Sequence, residues 1–172
     1  MLDLLPQKIS SFSSPPDISK PLEKPKSRVA LVAGCAQSIL APEINQATIS
    51  VLVRNSVEVH VPKNQTCCGA LHWHVGLGEH ARRFARKNVS AFDADFDAVI
   101  ANAAGCGSCM QEYPFILKFE EAEAEANRLK DRVQDFSEFL NGFGWHPPPP
   151  QKIQLLRVVY QDACHLCHGQ GV

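Results

Sequence analysis

Five cysteines carry the chemistry this chain can offer: Cys35, the adjacent pair Cys67 and Cys68, and Cys106 with Cys109 enclosing Gly107-Ser108. Each group follows an apolar run that gives way to a glycine-containing turn. Val29–Ala33 leads through Gly34 to Cys35, Val57–Val61 leads to Cys67-Cys68-Gly69, and Ala98–Ala101 leads through Gly105 to Cys106. Soft thiolates bind zinc, copper(I) and iron-sulfur clusters, and four or more converging cysteines are typical of zinc or iron sites. The adjacent pair is the unusual part. Neighbouring side chains do not easily serve one small tetrahedral ion, but they can grip different atoms of a larger cluster. That favours iron-sulfur over zinc and leaves zinc open.

Convergence requires elements that return the chain to one place. The apolar runs predict strands over 28–34, 57–61, 97–103 and 155–161, alternating with helices over 42–54, 78–92, 111–131 and 137–141. Pro42 stands at a helix start, where proline is tolerated. Such alternation predicts an α/β fold, a parallel sheet with helices on both faces and right-handed crossovers, in a βαβαβα unit. The 31 residues between Cys35 and Cys67 and the 37 between Cys68 and Cys106 each suffice for a helix and a strand. All five sulfurs are thereby expected on one sheet edge, where open α/β folds place ligands, with helix N-termini favouring thiolates and an anionic cluster.

The composition narrows the alternatives. A chain of 172 residues with 45% apolar and 20% charged residues and a net charge of −1 can bury a core and has no general affinity for polyanions, which argues against nucleic acid. The start, Met1–Pro6, lacks the basic and long apolar regions of a secretory signal, and no apolar run reaches membrane-spanning length. The chain reads as cytoplasmic, where seven cysteines, an odd number, favour metal or redox chemistry over structural disulfides.

Other motifs carry competing readings. Cys106-Gly107-Ser108-Cys109 between strand and helix also fits a thiol-disulfide catalyst, although such an enzyme needs neither Cys35 nor the adjacent pair. Cys164-His-Leu-Cys167-His168 spells a haem-attachment motif, disfavoured without export. His72 and His74 are expected to be packed or solvated rather than ligands. Arg82, Arg83, Arg86 and Lys87 are expected to form a solvated or docking face, as are Glu120, Glu121, Glu123 and Glu125. No paired carboxylates, activated nucleophile or phosphate-binding loop stands out.

Gly34-Cys35, Thr66-Cys67-Cys68-Gly69 and Gly105-Cys106-Gly107-Ser108-Cys109 resemble the cysteine-rich CCG domain, found twice in heterodisulfide reductases and in the iron-sulfur subunits of glycolate and lactate oxidising complexes. Val32–Gln37, Ala41–Thr48, Cys67–His72, Asp135–Leu140 and Tyr160–His165 extend the likeness towards the glycolate oxidase iron-sulfur subunit over residues 28–172. The resemblance implies a [4Fe-4S] cluster, in some members a noncubane one held by all five cysteines. It also implies a flavin-containing partner subunit carrying the FAD, a quinone or other electron acceptor, and peripheral association at the inner face of the membrane through the complex. The substrate would be glycolate or a related 2-hydroxy acid, and this chain alone would not turn it over.

The expected organisation is a linker over 1–27, rich in serine, proline and lysine, a first CCG domain over 28–150 and the start of a second over 151–172. Cys164 would then be the leading ligand of a second site. The linker and the final strand suggest that further domains belong on either side. The gap from Cys68 to Cys106 is slightly longer than the family pattern.

Overall fold

The computed structural model describes residues 14–147, 157–161 and 163–172. Its centre is a five-stranded sheet. Ile18–Ser19 (β1), Ser27–Val32 (β2), Val57–His60 (β3), Ala98–Ala101 (β4) and Val133–Asp135 (β5) lie in the order β1-β3-β2-β4-β5. β2 runs parallel to both β3 and β4, Val29 facing Val59 on one side and Ala98 on the other, and β4 runs parallel to β5. Only β1 is antiparallel, pairing with β3 from within the segment expected as a linker.

The helices are Gln37–Leu40 (α1), Pro42–Arg54 (α2), Ala70–His74 (α3), Gly78–Ala91 (α4), Ala104–Gln111 (α5), Tyr113–Ile116 (α6), Glu123–Lys130 (α7) and Phe136–Phe143 (α8). Side chains alternate across a strand, so β2 feeds two cores. Val29 and Leu31 face α2 and α8 with Ile49, Leu52, Phe139 and Leu140, whereas Ala30 and Val32 face α4 to α7 with Ala85, Met110, Tyr113 and Leu129. Helices on both faces of a mostly parallel sheet are the expected α/β architecture, which explains why β4 and the Val29–Val32 part of β2 are continuously apolar rather than alternating.

The helix expected over 111–131 is two short helices, α6 and α7, set after the end of α5. Pro114 has no N–H to donate, and its ring crowds the preceding turn, so α5 ends at Gln111 and α6 restarts with the proline in its first turn. Phe119, in the turn after α6, takes φ +68°, which keeps α6 and α7 from joining. The strand β5 was not expected. The last short helix begins one residue early, because Asp135 caps it: its carboxylate accepts from the Ser137 N–H at 2.8 Å, and Glu138 reaches back to the Asp135 N–H.

Of the strand expected over 155–161, residues 155 and 156 lie outside the described residues, and 157–161 are irregular with Val158, Val159 and Tyr160 exposed. A strand needs a neighbour for its ladder, and these residues pair with no strand among the described residues. A π-helical turn, His165–Gln170, follows and packs on α5, where Gln170 Nε2 donates to the Ala104 carbonyl at 3.1 Å.

Candidate metal centre

In parallel sheets of this kind, ligands collect beyond the carboxyl ends of the strands where successive crossovers depart in opposite directions. Here the chain leaves β2 for β3 on one side and returns across it to β4 on the other, so that point lies between β2 and β4. Cys35 follows β2, Cys67 and Cys68 follow β3, and Cys106 and Cys109 stand in α5 directly after β4. All five cysteines therefore belong to loops or helix starts at the same end of the sheet.

The five sulfurs influence one another across the site. Cys35 Sγ lies 3.3 Å from Cys67 Sγ. The neighbouring Cys106 and Cys109 thiols pull the Cys68 thiol down to about 3 and are themselves pushed well up by it, with burial adding to the upward shift. Burial likewise pushes Cys67 up to about 11, partly offset by the Gly69 N–H, which donates to its sulfur at 3.4 Å. Cys35 is exposed, Cys67 and Cys106 are half-buried, and Cys68 and Cys109 are buried. Among the described residues no three His, Cys, Asp or Glu side chains converge on the position of a single metal ion.

Local sequence explains the arrangement. Gly69 takes φ +89°, a left-handed conformation that turns the chain sharply from the cysteine pair into α3. Gln65 closes the end of β2, accepting from the Ala33 N–H at 2.9 Å and donating to the Leu31 carbonyl at 3.2 Å. On the opposite side, Asn45 donates to the Ala33 carbonyl at 2.6 Å, and Gln37 bridges Asn45 and Asn102 at 2.8 Å each, which fixes the turn carrying Cys35.

Two polar side chains not anticipated from sequence stand behind the pair. Asn88 of α4 donates to the Cys67 carbonyl at 3.0 Å, and the Tyr113 hydroxyl of α6 donates to the Cys68 carbonyl at 2.9 Å. Burial holds the Tyr113 hydroxyl well above the usual phenol range, so it is a neutral donor. Asn88 had a signal: it interrupts the buried stripe Ala81, Ala85 and Val89 of α4. Tyr113 had none, since a tyrosine on an apolar face looks like any core aromatic.

The remaining candidates fall outside the sulfur contacts. Cys164 is exposed and, among the described residues, makes none of them. His72 packs between His80 and Phe84, at ring distances of 5.7 and 5.2 Å, and His74 is exposed beside His165. Arg82 and Arg86 both pair with Glu120, which ties α4 to the turn after α6. The basic and acidic stretches thus meet each other.

The donor set fits an iron-sulfur cluster. Five thiols of one small region, two of them carried by adjacent residues, offer more sulfur than one tetrahedral ion takes, and backbone N–H groups already face two of the sulfurs.

Strand order, crossover pattern and cysteine placement agree with one class: residues 29–111 match the family model of the CCG cysteine-rich domain. Relatives place it further. The chain is 37% identical over 143 residues to the probable glycolate oxidase iron-sulfur subunit of Bacillus subtilis, covering 82% of this chain and 32% of that protein. It is 30% identical over 159 residues to the glycolate oxidase iron-sulfur subunit of Escherichia coli, covering 88% of this chain and 38% of the relative. Lactate utilization protein A of Geobacillus kaustophilus is 32% identical over 152 residues, covering 84% and 60%. The chain therefore spans about a third of the length of the first two. No solved structure gives a significant match.

Proposed function

We propose that this chain is an electron-transfer unit that holds one [4Fe-4S] cluster through Cys35, Cys67, Cys68, Cys106 and Cys109. The observation that carries the reading is the gathering of those five thiols beyond the carboxyl ends of β2, β3 and β4. When bound, the cluster would supply one-electron transfer. The protein's part is to hold its sulfurs, to bury Cys68 and Cys109 away from water and to aim N–H groups at the thiolates.

The names of the relatives support an iron-sulfur subunit of a complex that oxidises glycolate or another 2-hydroxy acid. In such a complex electrons would pass from FAD in a partner subunit, through this unit, to a quinone or other acceptor. The work would take place in the cytoplasm or at the inner face of the membrane. Among the described residues no helix is long and apolar enough to cross a membrane. Residues 28–150 would form one CCG unit and 151–172 the opening of a second, with Cys164 as its leading ligand.

A thiol-disulfide catalyst at Cys106 and Cys109 is a poorer reading. Such enzymes need an accessible thiol with a depressed pKa, whereas both of these are pushed up and Cys109 is buried. A single zinc ion is also poorer, because five thiols, two of them on adjacent residues, are more than one tetrahedral ion takes. Cys35→Ser separates these readings. A cluster protein should lose or alter its iron and its spectrum, whereas a dithiol enzyme using Cys106 and Cys109 should keep its activity.

A further inference from the structure

Asn88 and Tyr113 stand behind the Cys67-Cys68 pair and are 1% and 0% exposed. Burying polar side chains is unfavourable unless hydrogen bonds satisfy them, and these two spend theirs on one short backbone segment and on each other. Asn88 accepts from the Thr66 N–H at 2.8 Å and donates to the Cys67 carbonyl at 3.0 Å and to the Tyr113 hydroxyl at 2.9 Å. The Tyr113 hydroxyl in turn donates to the Cys68 carbonyl at 2.9 Å.

That last bond has a stereochemical effect at the sulfurs. The Cys68–Gly69 peptide is trans, so its C=O and N–H point in opposite directions. Gripping the Cys68 carbonyl from the core side turns the Gly69 N–H outward, where Cys67 Sγ lies 3.4 Å away. The Cys109 thiol also reaches the Cys68 carbonyl, at 3.4 Å. As a cluster thiolate it has no proton to donate, which leaves Tyr113 as the donor.

We propose that Tyr113, backed by Asn88, is a positioning residue for the metal centre: it fixes the Gly69 N–H on the Cys67 sulfur and thereby raises the reduction potential of the cluster held there. The inference rests on the cluster reading above. N–H donors to cluster sulfurs favour the reduced, more negative state, and removing one lowers the potential.

The test uses the full 172-residue chain and Tyr113→Phe, which keeps the ring and removes the hydroxyl. After anaerobic reconstitution the variant should contain as much iron and sulfide as the unaltered chain, with a more negative midpoint potential and a changed electron paramagnetic resonance spectrum. In the metal-free chain, the Gly69 amide of the variant should exchange with solvent at least about tenfold faster, while strand amides of β2 and β4 keep their protection. An unchanged midpoint in a fully loaded variant overturns the proposal, and so does unchanged Gly69 exchange. If the unaltered chain takes up no cluster, the cluster reading fails, and Gly69 exchange alone decides whether Tyr113 positions this peptide. Should Tyr113→Phe not fold, the unaltered chain still tests it, because a Gly69 amide that exchanges as fast as an open loop overturns it.

Discussion

The thiols at this site differ in what they hold before any metal arrives. Cys67 is pushed up by burial, and Cys106 and Cys109 by the neighbouring Cys68 and by burial, so these three carry protons at neutral pH. Ligating thiolates carry none, and loading must release those protons. The sign follows: loading tightens as pH rises and weakens as it falls, while Cys68, already pulled down, adds little. Cluster transfer to the metal-free chain should be clearly more complete at about pH 8.5 than at about pH 6.5, measured by absorbance and bound iron. Serine at Cys35 or Cys68 should abolish or alter the cluster, whereas Cys164→Ser and Cys167→Ser should leave iron and sulfide content unchanged. The thiols could be proposed from sequence because each group sits in a glycine-containing turn that follows an apolar run. Tyr113 could not, because its function depends on which carbonyl its hydroxyl meets, and no spacing encodes that.

Elements position these groups through a few backbone choices. Gly69 needs its left-handed conformation to turn from the cysteine pair into α3, and a Cβ there would sit 3.4 Å from the Ala81 backbone. Gly69→Ala should therefore cost about 1–2 kcal/mol in urea unfolding of the metal-free chain. Gly105 offers the contrast: it lies in α5 with nothing within 4 Å of a built Cβ, and alanine there should stabilise by about 0.5–1 kcal/mol. The strands at β2, β3 and β4 were readable because each is a continuous or alternating apolar run. Val133–Asp135 was not, since three residues with a single valine carry no periodicity and depend on β4 alongside them. The apolar spacing over 115–129 suggested one helix and was misleading. Pro114 and the left-handed Phe119 outweighed it, and α7 reaches the core through Ala126 and Leu129.

The molecule as a whole is a sheet with a core on each face, and the site depends on both. Leu52 is fully buried between α2 and the sheet, on the face away from Tyr113. Leu52→Ala should cost about 2–5 kcal/mol in urea unfolding through the cavity it leaves. On the proposed reading, this fold gathers five thiols to hold an iron-sulfur cluster. Anaerobic reconstitution of the chain, followed by iron, zinc and acid-labile sulfide analysis with electron paramagnetic resonance, tests it most directly. About four iron and about four sulfide per chain are expected, with a cluster signal in the appropriate oxidation state. Stoichiometric zinc with no sulfide would contradict it.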